Sequence, residues 1–132
     1  YATAGTAAKC EACVKLGATG AIDYRNEDFA ARVAQLTNGR GVDVILDIVG
    51  AAYFEKNLQS LAMDGRLVEI ATIGGAKVEQ LDLLFLMRRR LVITGSAMRP
   101  RTTQEKGAIA QALKENVWPV LNRGRCGPVI HA

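Results

Sequence analysis

The residues best suited to chemistry follow the first predicted strand. Gly5 and Thr6 form a tight turn, and Lys9 stands in the first turn of the next helix. In a dinucleotide-binding fold the turn after the second strand contacts the adenosine ribose, and an NAD-specific site usually places an acidic side chain there. No acidic residue is present here, whereas Lys9 and a helix N-terminus suit a phosphate. The turn favours NADP over NAD, although by itself it also fits an ordinary turn with a surface lysine.

The next strand end carries Tyr24 and Arg25. Tyr24 is placed to pack or hydrogen-bond near the same phosphate or the adenine, and Arg25 would add positive charge. A half-buried tyrosine beside a solvated arginine fits the sequence equally well.

Three glycines and one carboxylate mark the ends of two later strands. Gly50 would let a ligand approach the backbone closely, and Gly74 with Gly75 would form a wall beside a nicotinamide or else a flexible turn. Asp47 would meet a ribose or orient a loop, but we favour a strand-end carboxylate that bonds to nearby amides.

No protein nucleophile, catalytic residue or metal site is predicted. The single histidine, His131, is next to the last residue of the sequence and carries little weight, so no Ser-His-Asp triad is predicted. Tyr53 and Lys56 miss by one residue the Tyr-x-x-x-Lys spacing of short-chain dehydrogenases. Cys10 and Cys13 fall on one helix face, where two small buried hydrophobic residues are the favoured interpretation. A zinc site would need more ligands than this region offers.

Composition narrows the class of protein. The chain has 132 residues, which suits one domain, with 49% apolar and 23% charged residues. The net charge of +4 does not identify nucleic acid as a partner, and aromatic residues are not interleaved with basic ones. No apolar run reaches transmembrane length. Three cysteines without a disulfide framework suggest a reducing compartment, so we expect a cytoplasmic protein.

Strands and helices alternate with short glycine turns, which predicts an α/β fold with a doubly wound parallel sheet of the Rossmann type. The predicted strands cover residues 1–4, 21–24, 42–49, 67–73 and 91–97. The predicted helices cover residues 7–16, 26–39, 53–62, 81–88 and 102–115, with Asn26 and Thr102 as N-caps. The run at 42–49 is apolar enough for a strand buried on both faces, Asp64-Gly65 reads as a turn, and residues 129–130 would begin another strand.

An ordered set of motifs carries a family resemblance: A-T-A-G-T-A-A-K, A-I-D-Y-R-N-E-D-F, L-T-N-G-R-G-V-D-V-I-L-D-I-V-G, Y-F-E-K-N-L, D-G-R-L-V and S-A-M-R-P-R. The chain resembles the cofactor domain of zeta-crystallin-type NADPH:quinone oxidoreductases in the medium-chain dehydrogenase/reductase superfamily. Their p53-inducible quinone oxidoreductase subgroup is the most similar. The resemblance implies a zinc-free enzyme that passes hydride from NADPH to a quinone-like acceptor. It also implies contacts with NADPH by Gly5, Thr6, Lys9, Tyr24, Gly50, Gly74 and Gly75.

The resemblance also sets expectations about completeness and assembly. Residues 1–132 would form a partial NADP-binding Rossmann domain that lacks its first strand, its Gly-rich loop and the substrate domain, and would be inactive alone. The absent strand would leave unpaired edges. We expect the two halves to close up, another chain to fill the gap, or further residues to occupy it. The strand from Leu91 to Gly95 would pair across a homodimer.

Two other classes of function are compatible with the sequence. A non-catalytic nucleotide-binding or dimerisation module is the main alternative. A methyltransferase shares the layered architecture but usually has an acidic residue where Gly5 and Thr6 stand.

Overall fold

Strands and helices alternate along the chain in the computed structural model, which describes residues 1–124 and 126–130. The strands are β1 (Ala2–Ala4), β2 (Ala21–Asp23), β3 (Val42–Asp47), β4 (Leu61–Glu69) and β5 (Val92–Gly95). The helices are α1 (Ala7–Lys15), α2 (Phe29–Leu36), α3 (Phe54–Ser60), α4 (Leu83–Arg89), α5 (Thr103–Asn116) and α6 (Trp118–Asn122). His131 lies outside the described residues.

Every strand pair is parallel, which confirms the predicted parallel α/β fold. The strands form two sheets: β1 pairs with β2, and the order of the other sheet is β3-β4-β5. Ala2 aligns with Ala21, and β4 aligns with β5 from Arg66 opposite Val92. Each sheet therefore has its own hydrogen-bonded ladder, and β1 and β3 are edge strands within the part of the chain described.

The prediction that residues 42–49 are buried on both faces is wrong. Val44 is 61% exposed, Leu46 is 67% exposed and Ile48 is 50% exposed. The composition suits a central strand of a parallel sheet, but β3 has a strand partner on one side only among the described residues. The apolar side chains of Val44, Leu46 and Ile48 are therefore accessible to solvent.

The predicted cap of α2 is displaced by two residues. Asp28, not Asn26, is the N-cap, and its carboxylate accepts hydrogen bonds from the backbone N–H groups of Ala30 and Ala31. Asn26 instead donates its side-chain amide to Asp23 at 2.9 Å. An ionised aspartate is the stronger acceptor at a helix N-terminus, and the turn at the end of β2 already engages Asn26.

The third helix ends before the predicted position, because β4 already begins at Leu61. Val42 pairs with Leu61 but Val44 pairs with Arg66, so residues 62–65 form an irregularity inside β4. Asp64 has a φ of +62° there. The expected turn at Asp64-Gly65 is thus a bulge within one strand, and that strand ends at Glu69 rather than at residue 73.

The core consists of two apolar clusters. One contains Leu58, Leu61, Leu67 and Leu91. The other contains the buried residues Ile22, Phe29 and Val33. None of the described helices is long and apolar enough to cross a membrane.

The chain divides into two compact units, Tyr1–Ser96 and a second that begins at Ala97. In the second unit Thr102 and Glu105 form the predicted capping box of α5. The strand expected at residues 129–130 is not formed, and both side chains there are exposed.

Candidate cofactor-binding edge

The first candidate residues form the junction between β1 and α1. The hydroxyl of Thr6, the N-cap of α1, accepts a hydrogen bond of 3.3 Å from the backbone N–H of Lys9. This cap fixes the start of the helix and places the exposed Lys9 in its first turn. A cation and the positive end of a nine-residue helix therefore share one turn.

Tyr24 and Arg25 lie directly against this turn. A Cβ built on Gly5 would lie 2.8 Å from Tyr24 Oη and 3.2 Å from Arg25 Nε. The backbone N–H of Tyr24 donates to the carbonyl of Ala4 at 3.1 Å, which joins the two strand ends. The structure thus brings together Gly5, Tyr24 and Arg25, and glycine provides the space that the two longer side chains occupy.

An aspartate fixes this second strand end. The Asp23 carboxylate accepts hydrogen bonds from the backbone N–H of Arg25 at 3.1 Å and from the side chain of Asn26. Glu27 is a second acid at this strand end, and its carboxylate accepts the backbone N–H of Asp23 at 3.3 Å. Both carboxylates are thus engaged in local turn contacts, whereas Lys9 and Arg25 offer cationic side chains on this turn for an anionic ligand.

The three later glycines form a separate, tightly packed group. A Cβ on Gly50, whose φ is +81°, would lie 2.5 Å from the carbonyl oxygen of Gly75. A Cβ on Gly74 would lie 2.8 Å from Val49 Cγ1. The N–H of Gly74 donates to the Val49 carbonyl at 2.7 Å, and the N–H of Ala51 donates to Gly75 at 2.8 Å. Close approach of two chain segments already requires glycine at these positions.

Asp47 has the structural role that the sequence favoured. It is only 6% exposed, and its carboxylate accepts hydrogen bonds from the backbone N–H of Val49 at 3.1 Å and of Gly50 at 2.6 Å. These bonds hold the turn that carries Gly50 against Gly75.

The sequence did not single out Glu69, which faces Asp47 across the strand pair β3–β4. Burial, and secondly the charge of Asp47, raises the pKa of the Glu69 carboxyl to about 7. No described N–H group donates to either carboxylate oxygen. A glutamate inside the apolar run Leu67-Val68-Glu69-Ile70 was the signal that could have identified it.

A cleft of about 900 Å³ opens between the two sheets and is called the inter-sheet cleft below. Thr3 lies on its β1 side and Val44 and Leu46 on its β3 side, while Tyr24 and Gly74 line it near the strand ends. Tyr24 and Tyr53 meet edge to face across 6.0 Å. The cleft is therefore lined by one residue from each candidate group: Tyr24 from the group around Gly5, and Gly74 from the group of later glycines.

Asn57, which lines the inter-sheet cleft, was also not predicted from the sequence. It is 3% exposed, and its side-chain Nδ2 has no acceptor. Asn57 lies on α3, whose sequence is that of an ordinary amphipathic helix. No sequence pattern therefore marked this asparagine as a buried residue.

The described ranges 1–124 and 126–130 hold no group of three or more His, Cys, Asp or Glu side chains arranged to bind a metal ion. Cys10 and Cys13 are half-buried and not disulfide-bonded. Burial is the main cause that raises the pKa of the Cys10 thiol above its ordinary value. Neither cysteine is fully buried, so the expectation of two buried hydrophobic residues holds only in part.

Several known proteins are similar to this chain in sequence and in architecture. Quinone oxidoreductase 1 of Escherichia coli is 38% identical over 74 residues, which cover 56% of this chain and 23% of that protein. A probable quinone oxidoreductase of Schizosaccharomyces pombe is 40% identical over 90 residues, or 68% of this chain and 26% of that protein. The chain thus spans about a quarter of these relatives.

A solved structure extends the similarity along the chain. The crystal structure of Escherichia coli quinone oxidoreductase complexed with NADPH superposes with a TM-score of 0.81 at 30% identity, covering 98% of this chain and 39% of that one. The sequence profile of the zinc-binding dehydrogenases matches residues 1–114. The chain therefore belongs to the zinc-binding dehydrogenase family, within the medium-chain dehydrogenase/reductase superfamily.

Proposed function

We propose that this chain is the NADPH-binding part of a cytoplasmic oxidoreductase that transfers hydride to a quinone or a similar electrophilic acceptor. The zeta-crystallin type, and within it the p53-inducible subgroup, is the proposed branch of the family. The observation that carries the proposal is the turn at Gly5, where Lys9 and Arg25 stand close to the start of α1 and Asp23 is engaged elsewhere. The Escherichia coli enzyme solved with NADPH aligns along 98% of the chain.

The residues around Gly5 suit the adenosine end of NADPH. Lys9 and Arg25 would neutralise the 2′-phosphate, and Thr6 and Tyr24 offer hydroxyl groups beside it. Gly5 leaves room for the phosphate and the two side chains. Because the extra phosphate is the difference between NADPH and NADH, this cluster would set cofactor preference.

The group of Gly50, Gly74 and Gly75 suits a different task. Their backbones pack against each other with almost no spare volume, so they would form a rigid wall beside the cofactor, with Gly74 and Gly75 toward the nicotinamide. NADPH, when bound, supplies the hydride. The chain's own contribution is to position and shield, and no catalytic side chain is proposed.

The name of the family implies zinc, but the described residues do not supply a ligand set for it. Zinc independence is part of the proposal and rests on the resemblance to zinc-free quinone reductases.

Calorimetric titration with NADPH and NADH tests the proposal. We expect NADPH to bind at least tenfold more tightly than NADH, and Lys9→Ala to weaken NADPH by about ten- to a hundredfold, as expected for a charge-assisted hydrogen bond. Lys15→Ala, in the last turn of the same helix, is the matched control and should bind both cofactors as the unmodified chain does.

Equal affinity for the two cofactors, or equal effects of the two lysine variants, would contradict the proposed 2′-phosphate site. Binding of neither nucleotide would favour the alternative of a non-catalytic dimerisation module.

We also propose a homodimer through the strand from Leu91 to Gly95. Its regular part, β5, is at the end of the strand order β3-β4-β5, and all four of its residues are exposed. A second copy would pair with this edge and cover Val92 and Ile93.

A further inference from the structure

Cys10 and Cys13 are two thiols that the proposed function does not use. They lie three positions apart on α1, and side chains with this spacing share one helix face, with Cβ atoms about 5–6 Å apart. Both residues are half-buried and neither is disulfide-bonded. The structure therefore places a pair of partly accessible thiols side by side on one helix.

The surroundings of Cys10 disfavour its thiolate. Burial raises the pKa of this thiol most, and the charges of Asp23, the Cys13 thiolate and Glu27 raise it further. A dithiol resists oxidation when its reduced form is stabilised as a thiolate. Because the groups around Cys10 act in the opposite direction, they favour the disulfide over the reduced pair.

Helix α1 is held loosely enough to change its geometry at this pair. It has nine residues, and none of them is fully buried. Helices of this length depend on packing for most of their stability. Little packing therefore opposes a small rearrangement of the turn between Cys10 and Cys13.

The turn that would change is joined to Thr6 by two hydrogen bonds. The N–H of Cys10 donates to the Thr6 carbonyl at 3.0 Å, and the N–H of Lys9 donates to the Thr6 hydroxyl at 3.3 Å. A disulfide needs Cβ atoms about 3.5–4.5 Å apart, which is closer than the helical spacing. Drawing Cys10 toward Cys13 therefore pulls on the bonds that cap the helix and place Lys9.

We propose that Cys10 and Cys13 are a modification site, a dithiol that an uncharged low-molecular-weight disulfide converts into an intrahelical disulfide. Closing this bond loosens the Thr6 cap, and the displacement of Lys9 weakens NADPH binding. The last step rests on the proposed 2′-phosphate site, whereas the disulfide and the loss of the cap do not.

The incoming disulfide balances the reaction. One cysteine thiolate attacks it, forms a mixed disulfide and releases one small thiolate. The other cysteine thiolate then attacks the cysteine sulfur of the mixed disulfide and displaces the second small thiolate. The chain loses two electrons and two protons, and the small disulfide is reduced to two thiols. The negative charges of Asp23 and Glu27 act on Cys10 and would repel an anionic reagent, so we expect an uncharged one.

Oxidised mercaptoethanol, an uncharged disulfide, tests the proposal on the whole chain. All samples carry Cys126→Ser, which removes the exposed third thiol. We expect intact mass spectrometry to show the loss of two hydrogen atoms without an adduct, reversed by dithiothreitol. Cys10→Ser should instead retain a mercaptoethanol adduct on Cys13, because it has no second thiol to displace the adduct.

A matched control changes only the spacing of the two thiols. Cys13→Ser combined with Lys15→Cys keeps two cysteines on α1 but places them on different faces of the helix. This variant should accumulate two adducts rather than close an internal disulfide.

Amide hydrogen exchange measures the cap without any cofactor. The N–H groups of Lys9 and Cys10 should exchange about fivefold faster in the disulfide form than in the reduced form, as expected for the loss of a cap. The N–H of Ala30, which Asp28 holds at the start of α2, should not change. Calorimetry should show NADPH affinity falling about fivefold when the disulfide closes.

The proposal is overturned if the chain stays reduced or keeps adducts on both cysteines, or if the control pair closes equally well. Unchanged exchange at Lys9 and Cys10 in the disulfide form overturns it too, as does a disulfide form that binds NADPH as tightly as the reduced form. A reduced chain that does not bind NADPH would contradict the proposed function instead, because the mass and exchange measurements do not depend on the cofactor.

Discussion

Gly50 lies so close to Gly75 that a Cβ at residue 50 would stand 2.5 Å from the Gly75 carbonyl oxygen. The two turns at the carboxyl ends of β3 and β4 are therefore joined by direct backbone packing. Asp47 holds the first turn and the hydrogen bond from Ala51 to Gly75 holds the second.

Gly50→Ala should lower the free energy of unfolding by about 2–4 kcal/mol, because it adds a steric clash with backbone to an unfavourable positive φ. Gly39→Ala is the matched control: its φ is +79°, close to the +81° of Gly50, but nothing lies within 4 Å of an added Cβ. It should cost only about 1 kcal/mol. Urea unfolding of both variants checks this, and equal losses would show that the packing contributes nothing.

Gly5→Ala should reduce NADPH affinity while leaving stability nearly unchanged. The added Cβ meets the far ends of two flexible side chains, Tyr24 and Arg25, which can move away at little cost. Their displacement would remove them from the proposed phosphate site, and we expect a loss of about tenfold in affinity. Calorimetry and thermal unfolding of the same samples separate the two effects; a variant with normal affinity would remove Tyr24 and Arg25 from the site.

Glu69→Gln should make the chain more stable at pH 8 but not at pH 5. The pKa of Glu69 is raised to about 7 by burial and by Asp47, so the folded chain retains a proton that the unfolded chain releases above about pH 4.5. Stability from this group is present at low pH and is lost as the pH rises toward 7.

The expected difference between wild type and Glu69→Gln is about 1–2 kcal/mol between these pH values, after allowance for partial solvent screening. Denaturant unfolding at pH 5 and pH 8 measures it. Glu11→Gln, at an exposed position on α1, serves as the control. A difference that does not change with pH would contradict the assigned titration.

Ile93→Lys should prevent the proposed dimer, because it places a charge in the centre of the exposed strand β5. Light scattering at increasing concentration measures the mass. A Leu84→Lys variant, also at an exposed apolar position but on a helix, should dimerise normally. If the unmodified chain is monomeric at every concentration, the β5 interface is refuted.

Local sequence patterns predicted most elements of the fold. Alternation of apolar runs with glycine turns placed five parallel strands, and the Thr102-Glu105 capping box was confirmed because its bonds join residues three apart. The errors arose where nearby alternatives compete: Asp28 replaced Asn26 as the cap of α2, and Asp64-Gly65 became a bulge inside β4 because Val42 and Val44 pair on either side of it.

The sequence by itself determined the parallel α/β class, the order of the five strands along the chain and the cationic turn at Gly5 and Lys9, since these depend on residue type and short spacing. Only the tertiary structure decided which strand ends meet. It packed Gly50 against Gly75, raised the pKa of Glu69 by burying the carboxyl and, secondly, by placing it beside Asp47, and left Asn57 without an acceptor in the inter-sheet cleft. These properties depend on groups distant in the chain coming within a few ångströms, which no local pattern encodes.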